Sequence, residues 1–153
     1  MNVSDRLTAL GLSLPEASVP GGSYVSVNVR GAVAYVAIQF PIRNGRYRYQ
    51  GRLGEEVATE AGYQATQLCA LNVLAQLEKN VGLHRLIGIN HFDGYFQAQA
   101  DWDEAPQVMD GASDLFVEVL DDRGQHTRAI FGVDRLPRNF CVGLTASGTI
   151  RTE

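Results

Sequence analysis

The sequence predicts an α+β domain: one mixed β-sheet with two helices packed on one of its faces. Two observations lead there. Segments of period two and segments of helical period follow one another in the order strands, helix, strand, helix, strand, strand. Two strand-helix-strand units that share one sheet call for right-handed crossovers, and these put both helices on the same face. The 153 residues are one domain's length of chain, enough to bury a core without disulfide or metal staples. A single domain over 1–153 is expected, with 1–20 as an N-terminal helix and arm.

Each element has a local reason. Ser4 ahead of Asp5-Arg6-Leu7-Thr8-Ala9-Leu10-Gly11 reads as a capped short helix closed by glycine, after which Pro15, Pro20, Gly21 and Gly22 keep the chain extended. Tyr24 to Arg30 alternates, Val33 to Phe40 is nearly all apolar, and Gly31-Ala32 between them makes a hairpin. Pro41 ends the second strand, and Asn44-Gly45 turns the chain into a short polar strand from Tyr47 to Arg52. The arginines around it read as charge guarding a sheet edge, with an anion-attracting patch as the alternative.

The longest helix signal runs from Glu55 to about Val81, with Val57, Ala61, Ala65, Leu68, Leu71 and Ala75 on one face and Gly82 as its stop. Leu83 to Phe96 reads as a long strand. A second helix follows, capped by Asp101 or Asp103, with Pro106 in its first turn and Val108, Ala112, Leu115, Phe116, Val119 and Leu120 along one face. Gly124 closes it, a strand carrying Arg128 comes next, and Phe140 to Ala146 is the last strand after the Leu136-Pro137 corner. The sheet face away from the helices is too apolar for water, so a neighbouring subunit is expected to cover it.

Composition narrows the function classes. A net charge of -4 is ordinary for a globular protein and unsuited to a polyanion, so no nucleic-acid partner is expected. Lys79 is the single lysine among 13 basic residues. Arginine suits bidentate contact with carboxylate or phosphate, although a GC-rich genome gives the same bias. Cys69 and Cys141 lack a CxxC partner and read as core residues of a reducing compartment. The N-terminal residues lack a signal-peptide pattern and no apolar run reaches membrane-spanning length, so a cytoplasmic protein with no membrane partner is expected.

Arg128 is the most informative residue. A guanidinium entering a short apolar strand keeps its charge at any accessible pH and must meet an acid, backbone carbonyls or an anionic ligand. An internal ion pair with Asp134, Asp121 or Asp122 competes on even terms with a ligand role. The histidines His84, His91 and His126 have no i,i+3 or i,i+4 relation, so no metal triad is expected. His126, two residues before Arg128, reads as an exposed strand-entry residue in preference to a proton donor.

Taken together, Tyr24, the strand from Val33 to Pro41, the helix region from Gly51 to Val81, the Asp110-Gly111-Ala112-Ser113-Asp114-Leu115 segment, and Arg128 with Leu136-Pro137 resemble the Rid family, also called YjgF or L-PSP, over nearly the whole chain. The resemblance is to a divergent subfamily. It implies a chorismate-mutase-like fold, a homotrimer with sheets facing inward, clefts between subunits, and no metal or organic cofactor. It also implies that Arg128 clamps the carboxylate of a reactive 2-imino or 2-enamino acid, which is hydrolysed to a 2-keto acid and ammonia, with Tyr24 along the pocket. A planar guanidinium suits that task because it fixes a planar carboxylate and so places the adjacent C=N carbon for water.

The departures from the family pattern concern the same site. Ile38 stands where the family has a glycine close to the ligand, Ile130 where it has a cysteine, and Asp110 where an asparagine is common. Asp110 would repel an anion, select a cation, or pair locally. Thr145 stands at the position assigned to the glutamate that activates water, and a hydroxyl is no carboxylate base. Three readings follow: a small-carboxylate-binding protein that hydrolyses imines, a non-catalytic metabolite-binding member of the fold, and, less favoured by the charge, an endoribonuclease as the L-PSP label suggests.

Overall fold

The structure of the protein, a computed structural model, describes residues 2–152. Helix α1 (Val3–Ala9) is capped by Asn2, whose Oδ1 accepts a hydrogen bond from the Asp5 amide at 2.8 Å. The expected Ser4 cap therefore lies inside the helix, because Asn2 reaches the free amide at N3. The arm that follows is tied down by side chains of other segments: Gln76 donates to the Ser18 carbonyl at 2.8 Å and Asn44 accepts from the Glu16 amide.

Strand β1 (Val27–Arg30) is shorter than its alternating pattern, and Tyr24 sits in a bend before it. It pairs antiparallel with β2 (Val33–Gln39) around Gly31 at φ 60°. Asn44 and Gly45 both have positive φ and join the two-residue strands β3 (Ile42–Arg43) and β4 (Arg46–Tyr47). This turn matches its sequence pattern, because a tight hairpin demands positive φ at both central positions. The strand expected to continue to Arg52 stops at Tyr47, and the arginines tie segments together. Arg52 donates to the carbonyls of Ala98 and Asp134, and Arg43 to that of Ser13.

Helix α2 (Thr59–Asn80) begins four residues later than its apolar pattern, because Glu56 bends back to accept from the Arg52 amide at 2.8 Å and closes a turn there. Gly82 ends it at φ 96°. Residues 83–85 form a single 3-10 turn, so the long strand starts at Leu86, as β5 (Leu86–Phe96). Helix α3 (Ala105–Leu120) has Glu104 at its N-cap position, not Asp101 or Asp103, and its six expected apolar residues are all buried. Strand β6 (Thr127–Gly132) follows, and β7 (Val142–Ile150) extends four residues beyond the expected end.

The sheet order is β1-β2-β7-β5-β6. Only β5 and β6 pair in parallel, and β7 is antiparallel to both β2 and β5. Hence β5-α3-β6 is a strand-helix-strand unit of neighbours, while β2-α2-β5 is a split unit with β7 inserted between its strands. The mixed sheet with helices against it is the architecture the sequence predicts.

The core lies between sheet and helices, where Phe92, Phe116, Met109, Leu71, Leu74 and Leu144 are almost wholly buried. Each such side chain contributes about 2–3 kcal/mol by leaving water. The two long helices cross closely at Gly111, where an added Cβ would sit 2.0 Å from the Tyr63 carbonyl oxygen. Thr66 donates to the Val108 carbonyl at 2.6 Å beside that crossing. Gly111 thereby fixes how α3 is rotated, turning Ala112 inward while Asp110 and Ser113 face outward toward β6. Cys69 and Cys141 are buried free thiols, and burial pushes the Cys141 thiol up to about 12. No described helix is long and apolar enough to cross a membrane.

Candidate functional site

Arg128 lies opposite Phe92 in the parallel pair of β5 and β6, and Phe92 is wholly buried on the helix side. Side chains of laterally aligned residues share a face, so Arg128 rises toward α3. Its Nη1 donates to Asp110 Oδ1 at 2.8 Å and to Ser113 Oγ at 3.1 Å. Its Nε and Nη2 have no hydrogen-bond partner among the described residues, and the side chain is 26 % exposed. The guanidinium is thus held by one corner and presents its other edge.

None of the three acids anticipated as partners meets Arg128: Asp121 pairs instead with Arg6 of α1, and the ion pair of Arg128 is with Asp110. Asp110 replaces them because the helix rotation set at Gly111 aims its turn at β6. Of the three roles open to Asp110, local pairing is the one its geometry displays. Its side chain is 51 % exposed, so the pair is solvent-screened and adds at most about 1 kcal/mol to stability.

The polar line continues past Arg128. Ser113 Oγ lies 2.9 Å from His126 Nε2, and His126 Nδ1 lies 2.6 Å from the Gly124 carbonyl oxygen. A carbonyl only accepts, so Nδ1 carries the proton, and in the neutral ring Nε2 accepts from the Ser113 hydroxyl. The imidazole packs against Phe92 and Phe116, with ring centroids 5.2 and 5.6 Å away. Asp110, Ser113, His126 and Arg128 line one open shelf of about 510 Å³.

Ser113 is the residue that sequence reasoning missed. Its i,i+3 spacing from Asp110 was the available signal, since that spacing stacks two side chains on one helix face. His126 precedes β6 by one residue and is half-buried. It faces α3 instead of standing exposed at the strand entry, because its Nδ1–H bond to Gly124 orients the ring.

The other expected site residues fall elsewhere on the chain. Ile130 points the same way as Arg128 and packs against the core. Tyr24 and Ile38 meet in a pocket of about 200 Å³, together with Phe40, Tyr47, Arg138 and Phe140. Tyr24 is half exposed, and its hydroxyl accepts from the Gly21 amide at 2.9 Å. Phe40 and Phe140 stack there, with centroids 4.9 Å apart. Buried Gln97 pins the far wall: its Oε1 accepts from the Leu136 amide at 2.7 Å, and its Nε2 donates to Asn139 Oδ1 and to the Gly51 carbonyl, each at 2.9 Å. Arg138 and Asn139 are held there at positive φ.

Thr145 is on the opposite sheet face from Arg128. It lies across from Asp93, one residue out of step with the Phe92–Arg128 pair, and lines a shallow hollow with Tyr35, His91, Asp93 and Ser147. Within one chain the structure therefore brings together Arg128 and Asp110, and separately Tyr24 and Ile38, and leaves Thr145 apart from both. His91 is engaged by Thr127 and Asp93 at 2.7 and 2.8 Å. Among the described residues no group of three His, Cys, Asp or Glu side chains is arranged to hold a metal ion.

Comparison with known proteins decides the family. The model described as "YjgF/chorismate mutase-like, putative endoribonuclease" matches residues 4–146. The chain belongs to this family. A curated relative, Protein TCP17 of Trypanosoma cruzi, is 31 % identical over 146 residues, covering 94 % of this chain and 91 % of its own. A crystal structure described as a putative endoribonuclease from Shewanella oneidensis is 32 % identical with a TM-score of 0.95, over 98 % of this chain and 100 % of that one. A protein of unknown function from Agrobacterium tumefaciens gives 32 % and 0.91, over 97 % and 92 %. The E. coli YjgF product, at 17 % identity and a TM-score of 0.65 over 91 % and 98 % of the two chains, shares the fold.

Proposed function

We propose that this YjgF-family chain binds a small carboxylate-bearing metabolite on the free edge of Arg128 and hydrolyses reactive 2-imino or 2-enamino acids to 2-keto acids and ammonia. One observation carries the reading: Asp110 and Ser113 engage Nη1 alone, leaving Nε and Nη2 without partners among the described residues. Those two donors form a planar fork that matches a carboxylate, and the Asp110 pair holds the fork at a fixed angle. A ligand so fixed has its C=N carbon in a defined place for water.

The cleft in this reading is completed by a second copy of the chain in a homotrimer, with Tyr24 and Ile38 of one copy facing Arg128 of another. Two features support that arrangement. The shelf around Arg128 is open, while the Tyr24 pocket is more enclosed and shares no lining residue with it on the same chain. The outer sheet face carries Tyr35 and Phe131 at 53 % and 46 % exposure, apolar area that a neighbouring sheet would cover.

The test is ammonia release from enzymatically generated 2-aminoacrylate and 2-iminobutanoate. The wild type accelerates it, and Arg128→Ala lowers kcat/KM by on the order of 100-fold. Absence of acceleration in both, with binding of 2-ketobutanoate lost in Arg128→Ala, would instead make the chain a non-catalytic binder. The position of Thr145 on the far sheet face favours that second reading, since it gives the shelf no group at the family's glutamate position. RNA cleavage that falls steeply with salt would overturn both.

A further inference from the structure

We propose that the side chain selected by this site is an aromatic ring, so that the preferred substrates are 2-imino acids with an aryl group on the β-carbon. The inference rests on the hydrolysis reading of Arg128 and on the cleft between copies. A carboxylate seated on the Nε and Nη2 edge of Arg128 extends the rest of its molecule away from Nη1, the corner engaged by Asp110 and Ser113. The ligand's side chain is thereby directed off the shelf. In the proposed cleft it meets the Tyr24 pocket of another copy, whose walls decide what fits.

The pocket has the volume and the surface for a ring. It measures about 200 Å³, and a cavity of about 150 Å³ holds a benzene molecule. An ethyl side chain would leave much of that space to water. Phe40 and Phe140 lie 12° from parallel, and Tyr47 meets Phe140 edge-on with centroids 5.1 Å apart. Tyr24 and Tyr47 are half exposed beside them, with ring area that a bound ring would cover. Aromatic pairs gain from offset and edge contacts beyond their buried area, so a further ring is favoured over an alkyl group of the same size.

The walls are held in place from behind. Asn72 of α2 donates to the carbonyls of Phe40 and Ile42 at 2.9 and 2.8 Å. Ile38 and Phe40 sit over Gly143 of β7, where an added Cβ would lie 2.9 and 2.8 Å from them, so the bare glycine seats both side chains. The charge at the rim also suits a ring. The Arg138 guanidinium has no hydrogen bond or ion pair among the described residues, and a cation is attracted to the face of an aromatic ring. A second carboxylate would meet Arg138 too, but it would exchange water for walls that are mostly apolar. Buried Gln39 and Gln76 do not offset that loss, because their amides donate to the Ala37 and Ser18 carbonyls.

The experiment compares ammonia release from the 2-imino acids of phenylalanine, 2-aminobutanoate and aspartate, each generated in the assay by an amino-acid oxidase. Calorimetry gives the affinities for the matching keto acids, phenylpyruvate, 2-ketobutanoate and oxaloacetate. The phenyl compound should exceed the ethyl compound by about 100-fold in kcat/KM and in affinity alike, since an apolar pocket holds ground state and transition state equally. The ethyl compound remains a substrate, and the acidic one should be the poorest. Tyr47→Ala removes one wall and should cut the phenyl-to-ethyl ratio by about tenfold or more. Equal treatment of phenyl and ethyl, a preference for the acidic compound, or an unchanged ratio in Tyr47→Ala overturns the aromatic assignment. Loss of all turnover in Arg128→Ala would still leave the hydrolysis reading standing in those cases. No release from any imino acid overturns the hydrolysis reading, and the keto-acid affinities of the wild type then decide the pocket by themselves: a phenylpyruvate preference supports the assignment, and its absence overturns it.

Discussion

The Arg128 shelf and the Tyr24 pocket divide the requirements of a binding site between them. The shelf holds a cation, an acid and a Ser–His pair in one hydrogen-bonded line, but it is open to solvent. The pocket is smaller and more enclosed, lined by the stacked Phe40 and Phe140, and its walls are pinned by glutamines. The polar line of the shelf is built where two elements face each other, helix α3 against strand β6. Shape is built where loops meet, and that takes buried amides. The two sites therefore fail for different reasons when mutated.

Gln97→Ala tests that division most sharply. It strips partners from the Leu136 amide and the Gly51 carbonyl, both in a buried setting. The expected loss of stability is about 2–4 kcal/mol, read by urea unfolding, because unmet buried polar groups bear their full desolvation cost. In the proposed cleft, where the Tyr24 pocket of one copy faces the Arg128 shelf of another, 2-ketobutanoate affinity should fall as well in the protein that remains folded. Unchanged affinity would show the pocket and the shelf to be independent.

Asp110→Asn acts on the shelf alone. Removing a carboxylate 2.8 Å from Nη1 leaves the guanidinium charge less neutralised. Carboxylate affinity should rise by about two- to tenfold in calorimetry, while stability shifts by less than about 1 kcal/mol for so exposed a pair. A drop in affinity would mean that orienting the guanidinium matters more than unmasking its charge.

The smallest effect is expected at Tyr63, which donates to Asp114 at 2.7 Å where α2 meets α3. The Asp114 hydrogen bond, helped by burial, raises its phenol from 10.0 to about 12. Because the folded value is raised, the stabilisation is fully present below pH 10.0 and is lost as pH rises through about 12. Tyr63→Phe should cost under about 1 kcal/mol near neutrality. In unfolding curves the gap to wild type should close at alkaline pH, and a gap that widens there would reverse the assignment.

Much of the fold was legible along the chain. The apolar stripe of α3, the Asn44-Gly45 turn and the Gly31 hairpin each rest on contacts within a few residues, so the local pattern suffices. Element ends were less legible. Glu56 shortens α2 and Asn2 displaces Ser4 as a cap through side-chain hydrogen bonds that compete with the periodic signal. Arg128 stood out as a charge in an apolar strand, yet its partner did not, because Asp110 is 18 residues away on another element.

The sequence by itself determined the order of strands and helices, the single core, the family and the presence of a guanidinium needing a counter-group, since all of these are written in periodicity and residue chemistry. Only the tertiary structure decided which corner of Arg128 is occupied, that Ser113 and His126 join it, and that Thr145 faces away. The physical reason is the close crossing at Gly111, which sets the rotation of α3, together with the strand register that assigns neighbouring residues to opposite faces of the sheet. Both are relations between distant segments, and neither leaves a mark in any one of them.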